Sequence, residues 1–207
     1  MGNDDGRCAG LVLAAGAGTR YGGPKVLAEG GAWLRGAVAA LRDGGCGPVF
    51  VVLGATGPAL WSDGRWLVCE SPATAVPDGA RPVWAADWAV GLSASLRTGL
   101  AAVAHSPEGA GYAAVMPVDT PDVGADVVTR VLAAARTAPS GLARAVFHNR
   151  PGHPVVLHHK HWDAVLKTAQ GNSGARSFLD ARPDIVAVTC DDLATGRDHD
   201  YPATRAP

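Results

Sequence analysis

Apolar positions along the chain alternate between two textures. AGLVLAA (residues 9–15) and PVFVVLGA (48–55) are unbroken apolar runs, the pattern of parallel strands covered on both faces. Between them Trp33, Leu34, Ala37, Val38 and Leu41 recur at helical spacing, and Gly44 and Gly45 stop the helix. RWLVCE (65–70) reads as a third strand, and the three prolines of SPATAVPDGARP (71–82) read as a loop. GLSASLRTGLAAVAH (91–105) reads as a helix whose Ser93 and Ser95 cap its first amides. YAAVMPVD (112–119) is a fourth strand, followed by the helix ADVVTRVLAAART (125–137), at whose start Asp122 and Asp126 are expected. Residues 142–158 are two β-rich runs around NRPGH and read as a hairpin insertion with an antiparallel edge. Two short helices and the strand DIVAVT (184–189) follow. This order predicts an α/β fold of three layers, α/β/α, on a mainly parallel sheet. One domain is expected over 1–207, with its core at about 9–202.

Composition narrows the functions available. With 47% apolar and 18% charged residues, the chain is expected to fold compactly. A net charge of −1 provides no general attraction to nucleic acid or to an anionic membrane, so any anion must be held by local features. No run of about 18 apolar residues is present to span a bilayer. MGNDDGRCAG lacks the basic start and apolar stretch of a secretory signal, and Gly6 breaks the myristoylation pattern after Gly2. Cys8, Cys46, Cys69 and Cys190 lie far apart without a CxxC pair, as expected for structural thiols of a cytoplasmic protein.

The first run leads into LAAGAGTRYGGPK (13–25), a glycine-rich turn carrying two cations. A dinucleotide fingerprint would use Gly16 and Gly18 but meets Tyr21 at its third glycine, and VVLGATG lacks the acid expected after the second strand. A P-loop would use Gly18 and Gly23 but meets Pro24 in place of its lysine. A triphosphate with about four negative charges suits backbone amides exposed by glycines, with Arg20 and Lys25 adding full charges.

The stretch resembles the signature of the molybdenum-cofactor cytidylyl- and guanylyltransferases, roughly L-A-A/G-G-x-x-x-R-M-G-x-x-K. Gly16, Arg20, Gly22 and Lys25 are in register, and Tyr21 stands where that family has methionine. DWAVGLSASLRTGL is similar to the family's W-x-x-G-M-x-x-S-L-R-x-G-L through Trp88, Gly91, Ser95, Leu96, Arg97 and Gly99. VVLGA, VDTPDV, RPGHPVVL, GNSGAR and DHDYP extend the resemblance over about residues 10–202.

The resemblance implies a Rossmann-like nucleotidyltransferase fold and transfer of CMP from CTP to a phosphorylated acceptor, molybdopterin, with release of pyrophosphate. It implies Lys25, Arg20 and Asp119 as catalytic residues, and Mg2+ held by Asp119 and Asp200, with Asp198 as substitute. Asp119 also stands at the carboxyl end of a parallel strand, where open α/β sheets bind ligands. Leu13, Ala14, Ala15, Gly16, Gly18 and Gly22 would line the nucleotide, together with Ser95, His153 and Asn172. A molybdoenzyme is the implied partner. LAAG and SLR favour CTP over GTP. Asn172 in place of aspartate, and Ala85 where asparagine is usual, bear on the acceptor. The isoprenoid cytidylyltransferases share the opening motif, but VDTPDV replaces their DAARP loop. A nicotine-blue-reductase-like, NAD(P)H-dependent oxidoreductase and a non-catalytic cofactor carrier remain alternatives. His158, His159 and His161 are expected on a surface helix as solvated or capping groups, and Trp33, Trp61, Trp66 and Trp84 in packing roles.

Overall fold

The two unbroken apolar runs form strands β1 (Cys8–Leu13) and β2 (Val49–Leu53), each buried along its whole length. The structure, a computed structural model, describes residues 6–69 and 73–201. The remaining elements are α1 (Ala28–Asp43), β3 (Leu60–Ser62), β4 (Arg65–Leu67), β5 (Ala80–Trp84), α2 (Leu92–Ala104), β6 (Tyr112–Pro117) and α3 (Ala125–Thr137). The chain continues through β7 (Leu142–Phe147), β8 (Arg150–His158), α4 (Trp162–Thr168), α5 (Arg176–Asp180) and β9 (Val186–Thr189).

Seven strands make one sheet in the order β5-β2-β1-β6-β8-β7-β9. β5, β2, β1 and β6 run parallel, and so do β7 and β9; β8 alone runs against its neighbours β6 and β7. Side chains alternate across the sheet into two cores. Val12 and Val51 face α1 and α3 through Leu34, Leu41, Val131 and Leu132. Leu11 and Val52 face α2, α4 and α5 through Leu96, Leu100, Val165 and Phe178. This is the expected three-layer α/β/α arrangement. Gly99 lets α2 lie close, since a Cβ there would come within 3.1 Å of Val52 and 3.2 Å of Leu11.

Four expectations change. The third sheet strand is β5, which begins within the stretch read as a loop, and Arg65–Leu67 instead pairs with Leu60–Ser62 in a separate two-stranded ribbon. Pro82 is accommodated because β5 is an edge strand. The ends of those two sequence stretches, residues 70–72, lie outside the described residues, as do residues 1–5 and Pro202 of the tail motif. The 142–158 hairpin exists, turning at His148 and Asn149, both at positive φ. It is part of the sheet rather than an insertion, and β9 forms the edge beyond it. Ser93 and Ser95 do not cap α2; Gly91 is its N-cap, and both serines are buried. Asp122 does not open α3, whose N-cap is Gly124, whereas Asp126 does sit in its first turn.

Candidate functional site

After β1 the chain leaves the sheet at the carboxyl ends of the parallel strands, where the glycine loop and the end of β6 line one cavity. Gly18 is the pivot. Its φ is +61°, and a Cβ there would lie 1.9 Å from the Gly23 carbonyl oxygen, so only glycine fits. The Gly18 carbonyl accepts from the amides of Tyr21, Gly22 and Gly23 at 2.9–3.1 Å, which closes the second half of the loop. The amides of residues 15–20 have no backbone partner among the described residues, which leaves a row of donors on the other half.

Below the loop, four charged residues named from the sequence meet. Lys25 Nζ donates to Asp119 Oδ2 at 2.7 Å and to Asp200 Oδ1 at 3.0 Å, and Arg20 Nη1 lies 3.0 Å from Asp200 Oδ2. The Lys25 side chain is 14% exposed and that of Arg20 65%, so Lys25 lies under the loop while Arg20, paired with Asp200, is the more open of the two cations. Burial pulls the Lys25 ammonium down, but its hydrogen bonds to Asp119 and Asp200 outweigh this and hold it above the ordinary lysine value. The hydrogen bond from Lys25 holds Asp200 below the ordinary aspartate value. Asp198, the substitute ligand, is exposed and makes no ion pair among the described residues.

These groups border a cavity of about 590 Å³. Leu13, Ala14, Ala15, Gly16 and Gly18 form one wall with Arg20 and Lys25. Asp119, Asp200, Ser95 and Asn172 also line it. Ser95 is 4% exposed and its hydroxyl has no hydrogen-bond partner among the described residues, so it is available to a ligand in the cavity. Gly22 closes the loop from behind and lies outside the lining. His153 is also outside it: its Nδ1 donates to the Val115 carbonyl at 3.3 Å. Burial lowers the His153 pKa, against the opposing pull of the Asp119 and Asp198 carboxylates. Trp88, Gly91 and Leu92 also line the cavity. Their segment carries the W-x-x-G spacing, but its wall position needed the close packing of Gly91 on Asn172, where a Cβ would lie 2.5 Å from Oδ1.

Other residues singled out in the sequence lie elsewhere. His159–His161 form a short turn before α4; His158 accepts from the Lys160 amide as its cap, and His161 is buried with Nε2 donating to the Ser140 carbonyl at 2.8 Å. His161 is therefore neither solvated nor a cap. No group of three or more potential metal ligands occurs among the described residues. Cys8 and Cys46 are buried with their sulfurs 3.5 Å apart. Trp61, Trp66 and Trp84 are exposed and pack outside the two cores. Trp61 and Trp66 meet edge to face at 5.2 Å on the ribbon, and Trp84 donates to the Gly54 carbonyl.

Trp33 does pack, and it exposes an arrangement absent from the sequence reading. Its ring lies 5.2 Å from that of Tyr21 in the glycine loop and 5.4 Å from that of His199 in the tail. The Tyr21 substitution thus adds an aromatic contact that ties the loop to α1 beside the tail.

The sequence matches the MobA-like NTP transferase domain over residues 10–186. The chain belongs to that family. Among relatives of this MobA-like chain is the nicotine blue oxidoreductase of Paenarthrobacter nicotinovorans, 35% identical over 212 residues that cover 97% of this chain and 96% of that protein. The crystal structure of a homologue of Mycobacterium tuberculosis Rv0371c, from Mycobacterium sp. strain JC1, superposes with a TM-score of 0.72 at 25% identity, covering 95% of this chain and 91% of that one. The 2-C-methyl-D-erythritol 4-phosphate cytidylyltransferase of Thermus thermophilus shares the fold at a TM-score of 0.63 and 20% identity, covering 93% of each chain. No helix among the described residues is long and apolar enough to cross a membrane.

Proposed function

We propose that this MobA-like protein is a cytoplasmic nucleotidyltransferase that moves CMP from CTP to a phosphorylated acceptor of the molybdopterin type and releases pyrophosphate, with Mg2+ as its metal. The observation that carries this reading is the Lys25 ammonium held between two carboxylates beneath a loop of unpartnered amides. Asp119 Oδ2 and Asp200 Oδ1 converge on one cationic point, and two carboxylates completed by water and phosphate oxygens are a donor set that Mg2+ accepts. The residues therefore fit the metal, provided that Lys25 turns from the carboxylates to the phosphates.

Each group then has a task. The amides of residues 15–20 hold the triphosphate, and Lys25 and Arg20 neutralise its oxygens, Arg20 with a planar fork that binds two at once. The acceptor is already an anionic phosphate, so no strong general base is needed and catalysis rests on alignment and on charge neutralisation. An acceptor oxygen bonds to the α-phosphorus as the bond to the bridging α–β oxygen breaks, and that oxygen leaves with pyrophosphate. Mg2+, when bound, supplies charge neutralisation at the phosphoryl oxygens. Ser95 and Asn172 also line the cavity, where their neutral polar groups can orient the base or the acceptor.

One observation favours a second reading. The 35% identity to an oxidoreductase extends along nearly the whole chain, and the same amides could hold the pyrophosphate of NAD(P)H. In that reading the Lys25 ion pairs persist in the working enzyme. Thermal shift with CTP, GTP, ATP and NADPH, each with and without Mg2+, separates the two. A nucleotide at 100 times its Kd adds about 2.7 kcal/mol. Stabilisation by CTP that requires Mg2+ supports transfer; stabilisation by NADPH alone overturns it.

A further inference from the structure

Asp122 follows Asp119 on the loop after β6, but its carboxylate serves a distant part of the chain. Its Oδ2 accepts from the Thr195 amide at 2.7 Å, the Thr195 hydroxyl at 2.5 Å and the Gly196 amide at 3.2 Å. The turn fits closely against the sheet: Gly196 has φ +61°, and a Cβ there would lie 2.0 Å from the Phe147 ring. From this anchor the tail runs back across the site, the His199 amide donates to the Asp119 carbonyl at 3.1 Å, and Asp200 arrives at Lys25 and Arg20. Arg197 and Asp198, between the anchor and His199, are exposed, and Arg197 has only a long 3.4 Å bond from its amide to Thr195 Oγ1. On the tail side Asp200 therefore owes its place to the turn behind it and to the His199 contacts, which bring it to its ion pairs with Lys25 and Arg20.

We propose that Asp122 is a positioning residue: by fixing the 195–196 turn it places the Asp200 carboxylate beside Lys25. As a claim about turnover this rests on the nucleotidyltransferase reading; as a claim about Asp200 it does not. Three donors converge on one carboxylate oxygen, an arrangement that ionised acceptors stabilise most. Asp119 and Asp122 then act from one loop, the first on the ligand and the second on the other carboxylate.

Two measurements on the full chain without ligand test the placement. In Asp122→Ala the amides of His199 and Asp200 should exchange hydrogen about tenfold faster or more, the scale set by charge-assisted hydrogen bonds. The Asp200 carboxyl, followed by NMR through a pH titration, should move up toward the ordinary aspartate value. Asp122→Asn keeps an acceptor oxygen and should restore most of both. If exchange and titration are unchanged in Asp122→Ala, or if Asp122→Asn loses as much, the proposal fails. Turnover gives a third test, as pyrophosphate release from CTP with Mg2+ and molybdopterin. Asp122→Ala should lower kcat about tenfold, yet add no further loss in an Asp200→Asn background, because both changes act through one carboxylate. Full additivity would mean that Asp122 acts elsewhere. Should Asp122→Ala fail to fold, Thr195→Val removes one donor at constant size and is expected to move the same signals less. A parent that turns over no nucleotide overturns the transferase reading, while exchange and the Asp200 titration still decide the placement.

Discussion

Asp119 and Asp200 share one ammonium, and that sharing governs what a substitution at any of the three does. Lys25→Ala removes the cation and leaves two carboxylates facing each other. It is expected to weaken CTP binding and slow transfer while tightening binding of the divalent ion alone, which Mn2+ or Mg2+ titrations followed by thermal shift would show. Equal weakening for metal and nucleotide would mean that the ion does not use this pair. Asp119→Asn keeps the shape and should fold, with turnover down about 100-fold, the scale of losing one well-placed electrostatic group. Titration adds a check without substrate. Burial keeps His153 and His161 below the ordinary histidine value, so the folded chain binds fewer protons at these sites than the unfolded chain. Their contribution is complete above about pH 6.5 and is lost as pH falls below that value and through their lower folded values. The hydrogen bonds from Lys25, Arg130 and Arg182 lower Asp200, Asp192 and Asp184. That contribution is present above about pH 4 and is lost below it. The thermal midpoint should therefore fall in two stages on acidification, and His153→Asn with His161→Asn should flatten the first.

Elements show what a sequence can and cannot reveal. β1, β2 and β6 were legible because their apolar patterns are unmixed: covered on both faces, these strands have no polar positions to confuse the reading, while α3 was legible from the helical spacing of its buried residues Val127, Val128, Val131, Leu132 and Ala135. β5 was hidden because an edge strand tolerates Arg81 and Pro82, whose signals belong to turns. That the glycine loop, Lys25 and Asp119 would come together was legible, from the loop's spacing and from the polarity of the strand that ends at Asp119. Asp122 was misread because an acid just before a helix looks like a cap, while its real partners lie over 70 positions away at Thr195 and Gly196. Nothing local records a contact of that range. The loop itself gives an element-scale prediction. Gly18→Ala would drive a methyl into the Gly23 carbonyl and should abolish CTP stabilisation in thermal shift, while circular dichroism shows the sheet and helices intact. Retained stabilisation would mean that the loop does not grip phosphate.

For the molecule as a whole, the sheet separates two apolar cores that share it but not their helices. Leu132 on α3 and Leu100 on α2 are each 1% exposed, one in each core. Truncation of either to alanine is expected to cost about 2–5 kcal/mol, and the double variant should equal the sum to within about 0.5 kcal/mol in urea unfolding. A large departure from additivity would mean that the sheet passes strain between its faces.

The cavity joins two kinds of wall. The charged end is built from the β1 loop, the β6 loop and the tail, fastened together by ion pairs and the Asp122 anchor. The other contributing segments, Trp88–Leu92 and the turn at Asn172, bring no charged side chain to the cavity. Because the two sets of residues are held by different contacts, an exchange at Ala89, Leu92 or Asn172 is expected to change what fits in the cavity while the Lys25 ion pairs persist.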